Sequence, residues 1–331
     1  MTGVLCSGSF MCDLIATDLP RIGDPGDLIY APNGIQLHPG GHAANVAIAL
    51  AKLGETDVTA TGSIGTDPLG DFMVASLREN GVEVHAQRLA DAPTSKNIAL
   101  VVRGEDRRFY VELAANTMLT PDHVTSVLGE TRPEIFYQGT IGGLRALDGH
   151  LESVLRKARE LGCTTFVDVI RPYPGGWDGL ERSYPLIDVL HCNGPESQAL
   201  TGEEDPLKAA TALSERGVAL CLLTLGERGL IAVKGETRLR VPSFSVEAVD
   251  TTGAGDAFCA GVISALRRAG FRHDDLPGIT QETLKQVLVE GSAAGAACVT
   301  ATGATTAVTR ENVDALLAEQ SDAVSTGIRP L

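Results

Sequence analysis

The feature that most constrains this chain is a repeated order of apolar run, Gly-rich turn and amphipathic segment along most of its length. Residues 3–8 read as a strand. Residues 42–53 (HAANVAIALAKL) read as a helix that is apolar nearly all round, with Gly54 as its stop. A strand is expected near 57–64. Asp67-Pro68 then opens a helix over 68–80, with Asp as N-cap and Pro at the first helical position. Thr120-Pro121 and Asp205-Pro206 repeat that start signal. Further strands are expected near 134–138, 164–169, 187–192 and 218–224, with helices near 148–161 and 206–216 between them. Such alternation predicts an α/β fold built on a parallel sheet covered on both faces.

Two segments break the alternation. Residues 13–38 are polar, rich in Gly and Pro, and lack helical periodicity. Residues 95–114 read as two short strands, NIALVV and RFYVEL, around the turn RGEDR. A hairpin inserted into a parallel-sheet protein often forms a separate flap. We therefore expect a single domain over residues 1–331 with a small β-lid assembled from about 13–38 and 95–114. The last ten residues read as a frayed tail.

Composition narrows the function classes. The 331 residues carry a net charge of −15 with no basic run, which disfavours a general nucleic-acid binder. The seven cysteines, at 6, 12, 163, 192, 221, 259 and 298, include no CxxC pair, and several lie in apolar strand-like runs. They read as buried reduced thiols of a cytoplasmic protein. The N-terminus carries no Lys or Arg and is interrupted by Gly and Asp, so it reads as a strand and not as a secretory signal. The longest apolar helix candidate, around 286–301, contains Glu290, Gly291, Ser292 and Gly295, so no membrane span is expected.

The chemistry concentrates in DTTGAGDAF, residues 250–258. An extended stretch, VPSFSVEAV, leads in, and a helix with apolar Phe258, Val262, Ala265 and Leu266 leads out. A Gly-rich turn that opens a helix leaves unpaired N–H groups at the positive end of the dipole, a geometry that holds phosphate oxygens. Asp256 sits in that first turn. An ordinary dipole-favoured Asp is one reading; a base for an attacking hydroxyl is the other. The helix N-terminus is expected to keep its pKa low, which a loose phosphoryl-transfer transition state tolerates. The chain has no GxxxxGK[ST], and neither GTIGGL nor TLGERG is a GxGxxG opening a long helix, so P-loop and dinucleotide-dehydrogenase readings are disfavoured. Two further stretches carry polar residues in apolar surroundings. In HPGGHAANVA (38–47) a Gly pair opens the helix and Asn45 lies one turn in, either as a structural amide or as a grip on substrate hydroxyls. In NGPESQALTG (193–202), Asn193 and Glu196 follow a strand at its C-terminal end. A carboxylate there can orient Mg²⁺ through water, although N-x-x-E is also a common helix start.

Taken together and in this order, these segments resemble the ribokinase-like (PfkB) family of carbohydrate kinases. GGHAANVAIALAKLG is similar to its N-terminal signature and DTTGAGDAFCAG to its C-terminal one. SIGTDPLG, LAANTML, NGPE and TLGERG resemble the motifs between. The resemblance implies a Rossmann-like three-layer α/β/α core with a β-lid that often dimerises. It implies ATP and Mg²⁺ as cosubstrates. By position it makes Asp256 the base and Gly253, Ala254 and Gly255 the anion hole. Asn193 and Glu196 organise phosphates and Mg²⁺, while Thr224, Gly226 and Gly229 line the nucleotide loop. Asp13, Gly41 and Asn45 bind substrate hydroxyls. Many members bind K⁺ beside the anion hole, and Asp250, Thr252 and Gly303 match that site.

Three departures stand out. His42 occupies a position where many members have Lys or a small residue. Ala307 falls near a position that often supplies a hydroxyl to the K⁺ site. FVDVIRPYPGGW (166–177) resembles a D-x-N-x-R…W segment but is one residue short and lacks the Asn. Arg171 in that run either faces the transferring phosphate or is a surface Arg at a strand end. The expected activity is phosphorylation of a hydroxyl on a sugar-like alcohol, the acceptor being a pentose, ketohexose, cyclitol or nucleoside. Arg103, Arg107 and Arg108 in the lid turn leave room for an acidic acceptor. A different-class alternative is a sugar- or nucleotide-binding regulator that keeps the fold without the catalysis.

Overall fold

The computed structural model describes residues 3–105, 108–172, 176–177, 179–271 and 273–331. Arg107, and Tyr173, Pro174 and Gly175 of the FVDVIRPYPGGW run, lie outside the described residues.

The architecture follows from strands that are apolar on both faces. Val4 and Cys6 enter one core cluster and Leu5 the other; Ile135 and Tyr137 oppose Phe136; Leu220 and Leu222 oppose Cys221 and Leu223. Side chains alternate with period two, so each strand must be covered twice. The first cluster is closed by helices His42–Lys52, Pro68–Glu79, Ala254–Arg268 and Gln281–Cys298, with Arg310–Thr326 outside them. The second is closed by Pro121–Thr131, Leu151–Glu160 and Pro206–Glu215. The three Xaa-Pro starts are true caps: Asp67, Thr120 and Asp205 each accept a hydrogen bond from a first-turn N–H.

The sheet has ten strands. From one edge run Glu83–Val84, Val58–Thr61, Val4–Ser7, Ile135–Ile141, Thr164–Val169, Val189–Asn193 and Leu220–Thr224, all parallel. Leu230–Lys234, Thr237–Val241 and Arg329–Pro330 then extend it antiparallel. The all-parallel expectation therefore holds for seven strands and fails at this edge, where short turns permit hairpins. The expected frayed tail is corrected too. Val324 and Ile328 are buried, and Arg329–Pro330 pairs with Thr237–Val241. VPSFSVEAV extends the chain but joins no sheet beyond Val241.

The two segments that broke the alternation do meet. Met11–Leu19, Ile35–Gly40, Lys96–Val102 and Arg108–Glu112 form a separate four-stranded sheet. Lys96–Val102 and Arg108–Glu112 are the expected hairpin, and Met11–Leu19 sits between Ile35–Gly40 and Lys96–Val102. Asn116 of LAANTML anchors the chain between the two sheets. Its Oδ1 accepts from Phe10 N (3.1 Å) and its Nδ2 donates to Phe10 O (3.0 Å), fully buried.

Candidate functional site

Two helix N-termini converge at the C-terminal ends of the parallel strands. Ala254–Arg268 starts at Gly253 and His42–Lys52 at Gly41, and neither cap position supplies a side-chain hydrogen bond. Their first-turn N–H groups are thus left to other acceptors. Gly253 has φ 77° with its missing Cβ directed at Ala304, where a methyl would sit 2.4 Å from that Cβ. Only glycine fits, which holds the turn in the shape that aims the N–H groups outward. Gly253 is thus the cap of this helix, and Ala254 and Gly255 are its first two residues. Gly255 lies directly over the His191 ring, its position for a Cβ only 3.2 Å from His191 Cε1.

Asp256 lies one residue further on and is buried. Asn45 Nδ2 donates to its Oδ2 (2.8 Å), joining the two signatures across the site. Asn45 Oδ1 is buried with no partner among the described residues, so it is open to a hydroxyl donor. The expectation that the helix terminus keeps the Asp256 pKa low is corrected: burial raises it, and His42 and Asn45 oppose that rise without cancelling it. Desolvation of a carboxylate is the stronger effect here.

Asp13, from the small sheet, reaches the same region. It accepts from Asn97 Nδ2 (3.3 Å) on the neighbouring strand, and Asn97 Oδ1 has no partner among the described residues. Burial pushes the Asp13 carboxyl up to about 6, helped by the charges of Asp256 and Asp250 and opposed by Asn97. Gly41, with φ 90°, lets the backbone pass against Ser9 before the helix begins.

Thr224 ends its strand and is followed by the single turn Gly226–Arg228 and then Gly229. A cavity of about 470 Å³ opens there, bounded by Thr224, Gly226, Gly229, Phe244, Gly255 and Phe258. Its size and mostly apolar walls suit a heterocycle with a polar end at the anion loop.

Asn193 and Glu196 form a reciprocal capping box: Asn193 Oδ1 accepts from Glu196 N (2.9 Å) and Glu196 Oε2 accepts from Asn193 N (2.8 Å). The helix-start reading is therefore true of both. It leaves Glu196 Oε1 without a hydrogen bond among the described residues, and burial raises this carboxyl. That oxygen fits a hydrated divalent cation. Asp250, Thr252 and Gly303 also come together. Asp250 Oδ1 accepts from Thr252 N (2.9 Å) and Oγ1 (2.7 Å), and Oδ2 accepts from Gly303 N (3.0 Å). These bonds brace the loop before the anion hole on their own account. Arg171 is exposed two residues past the Thr164–Val169 strand, with no hydrogen bond or ion pair recorded for it among the described residues.

A buried polar chain beneath the site was not foreseen. Asp168 Oδ1 accepts from His191 Nδ1 (2.8 Å), and His191 Nε2 meets Thr224 Oγ1 (3.1 Å). Asp168 Oδ2 accepts from Tyr137 OH (2.9 Å) and lies 3.1 Å from His42 Nδ1. The signal was there: Asp in FVDV and His in VLHC are polar residues in apolar runs at the C-terminal ends of expected strands.

Comparison with known proteins identifies the family and the fold. The model of the pfkB family carbohydrate kinases matches residues 1–311. Ribokinase of Haemophilus influenzae is 26% identical over 308 residues, covering 91% of this chain and 93% of that protein. Aminoimidazole riboside kinase of Salmonella typhimurium is 30% identical over 281 residues, covering 82% and 84%. Among solved structures, fructokinase with bound ATP from Xylella fastidiosa superposes with a TM-score of 0.83 at 26% identity, covering 96% of this chain and 99% of that one.

Proposed function

This chain belongs to the pfkB family of carbohydrate kinases, a family of phosphotransferases, and from that premise we propose that it moves the γ-phosphoryl group of ATP to a hydroxyl of a neutral sugar-like acceptor, with Asp256 as base. The acceptor oxygen forms its bond to the γ-phosphorus, the bond to the bridging β–γ oxygen breaks, ADP leaves with the electron pair, and the hydroxyl proton passes to Asp256. The observation that carries the reading is the Asn45–Asp256 hydrogen bond at the uncapped N-terminus of Ala254–Arg268. It sets a carboxylate beside open N–H donors, which is what a proton acceptor next to a developing phosphate charge requires.

In this reading Gly253, Ala254 and Gly255 bind the transferring phosphate. Thr224, Gly226 and Gly229 border the nucleotide, with Asn193 near its phosphates. Glu196 would hold Mg²⁺ through water, a cation that supplies charge neutralisation at the phosphates. Asp13, Asn45 and Gly41 face the acceptor, and Asn97 joins them. Asp13, Asn45 Oδ1 and Asn97 Oδ1 are all hydrogen-bond acceptors, which favours a polyol, cyclitol or nucleoside ribose over a sugar acid. Asp250, Thr252 and Gly303 hold K⁺ beside the anion hole, and added K⁺ is expected to raise the rate. Arg171 meets the transferring phosphate from the end of the Thr164–Val169 strand.

The whole chain is one kinase domain with the four-stranded sheet as its lid. That sheet also pairs two copies. Ile35, Leu37, Ile98 and Tyr110 share one face by cross-strand register and are exposed. Seven buried free thiols suit a reducing cytoplasm, and no helix among the described residues is long and apolar enough to cross a membrane.

A coupled ADP-release assay over D-ribose, D-fructose, myo-inositol and adenosine tests the activity. One acceptor is expected to stimulate ADP release and to lose that stimulation in Asp256→Asn. Tight acceptor binding with no stimulated release by any of them would instead favour the regulator.

A further inference from the structure

The buried polar chain beneath the site has one member that touches the base. His42 is the first residue of its helix, and its Nδ1 lies 3.1 Å from Asp168 Oδ2 and 3.7 Å from Asp256 Oδ1. His42 Nδ1 makes no well-aligned hydrogen bond with either carboxylate. The two carboxylates come from different layers, Asp168 from a sheet strand and Asp256 from a helix start, and both are buried. Two buried carboxylates that share one neighbour repel unless a positive charge lies between them. His42 is the side chain able to carry that charge within reach of both carboxylates.

We propose that His42 is a positioning residue for the base, kept as an imidazolium by Asp168, so that the Asp168–His42 pair sets the proton affinity of Asp256. The inference rests on the assignment of Asp256 as base. The rest of the surroundings agrees. Asp168 is itself anchored by Tyr137 and His191, so its charge stays in place. Burial works against a charged His42, but Asp256 and Asp168 outweigh it and push its pKa up to about 10. Burial likewise opposes a charged Asp168, but His191 and His42 hold its carboxyl well below the usual range. The other ionisable groups facing this cluster are His191, Glu196, Cys259 and Asp13. None of these lies as near Asp256 with a positive charge as His42; His191 acts on it more weakly. The imidazolium thus offsets the burial that makes Asp256 hold its proton. A base whose proton affinity is lowered in this way stays able to accept the hydroxyl proton down to a lower pH.

The test is the acid limb of the pH profile of kcat/KM, measured by ADP release with MgATP and whichever of D-ribose, D-fructose, myo-inositol or adenosine is turned over. His42→Gln is expected to move that limb up by about 1–3 pH units, the range for loss of an opposite charge at this distance. His42→Lys is expected to bring it back towards wild type. A His42→Gln limb that stays in place overturns the proposal, as does a His42→Lys limb that matches His42→Gln. If His42→Gln does not fold, imidazole ¹⁵N shifts of the wild type give the answer: a charged His42 at pH 7.5 supports the proposal and a neutral one overturns it. Full turnover by Asp256→Asn would show instead that the base assignment has failed, and this proposal would fall with it.

Discussion

Asp256, Asn45 and Asp13 each occupy a buried position that a folded chain would rather fill with an apolar group. Asp13 shows the cost in a measurable form. Its pKa is raised to about 6 by burial, so between the ordinary carboxylate range and 6 the folded state binds more protons than the unfolded chain. Stability is therefore greatest below that window and falls as pH rises through it. Asp13→Asn removes the penalty. The variant is expected to be more stable than wild type at pH 8, by up to about 3 kcal/mol, with little difference at pH 4. Urea titrations at the two pH values check this, and acceptor affinity should fall in the same variant. For the base, Asp256→Asn is expected to lower kcat by about 10²–10⁴-fold while leaving ATP affinity close to wild type, as read by calorimetry.

At the scale of elements, the site depends on how two helices begin. Gly253→Ala forces a side chain into a left-handed backbone, at about 1–2 kcal/mol, and drives its methyl into Ala304. The first-turn N–H groups would turn away from the phosphate. A loss of about 10²-fold in kcat is expected, with the acceptor affinity at Asp13 and Asn97 retained. Asn116 tests a different joint. Its amide pairs both backbone groups of Phe10, where the chain leaves the main sheet for the smaller one. Asn116→Ala leaves both groups buried and unpaired and is expected to cost about 2–4 kcal/mol in unfolding free energy. Asn116 of LAANTML thus has a structural task, which a motif resemblance by itself does not reveal.

For the whole molecule, the exposed apolar face of the four-stranded sheet is the surface on which the proposed pairing of two copies is tested. Leu37 and Ile98 lie on that face with Leu14 between them across the strands. If two copies pair as proposed, wild type is expected to sediment as a dimer and the double substitution Leu37→Asp, Ile98→Asp as a monomer in sedimentation velocity. It should leave the melting temperature of the main domain nearly unchanged, because neither side chain belongs to its two core clusters.

The sequence by itself determined what is local or periodic. The Xaa-Pro caps, the alternating strands, the hairpin Lys96–Glu112 and the Gly-rich helix start at Gly253 were legible because each rests on a few neighbouring residues. Tertiary structure decided whatever depends on partners far along the chain. Asn45 meets Asp256 across 211 residues, and Asn97 meets Asp13 across 84. The C-terminal end of the chain meets the sheet because Arg329–Pro330 pairs with Thr237–Val241. The Asp256 carboxyl is the clearest case. Its local sequence offers only the helix dipole, which lowers a carboxylate pKa. Folding buries it near Asp168 and His42, and burial raises its proton affinity while His42 opposes the rise.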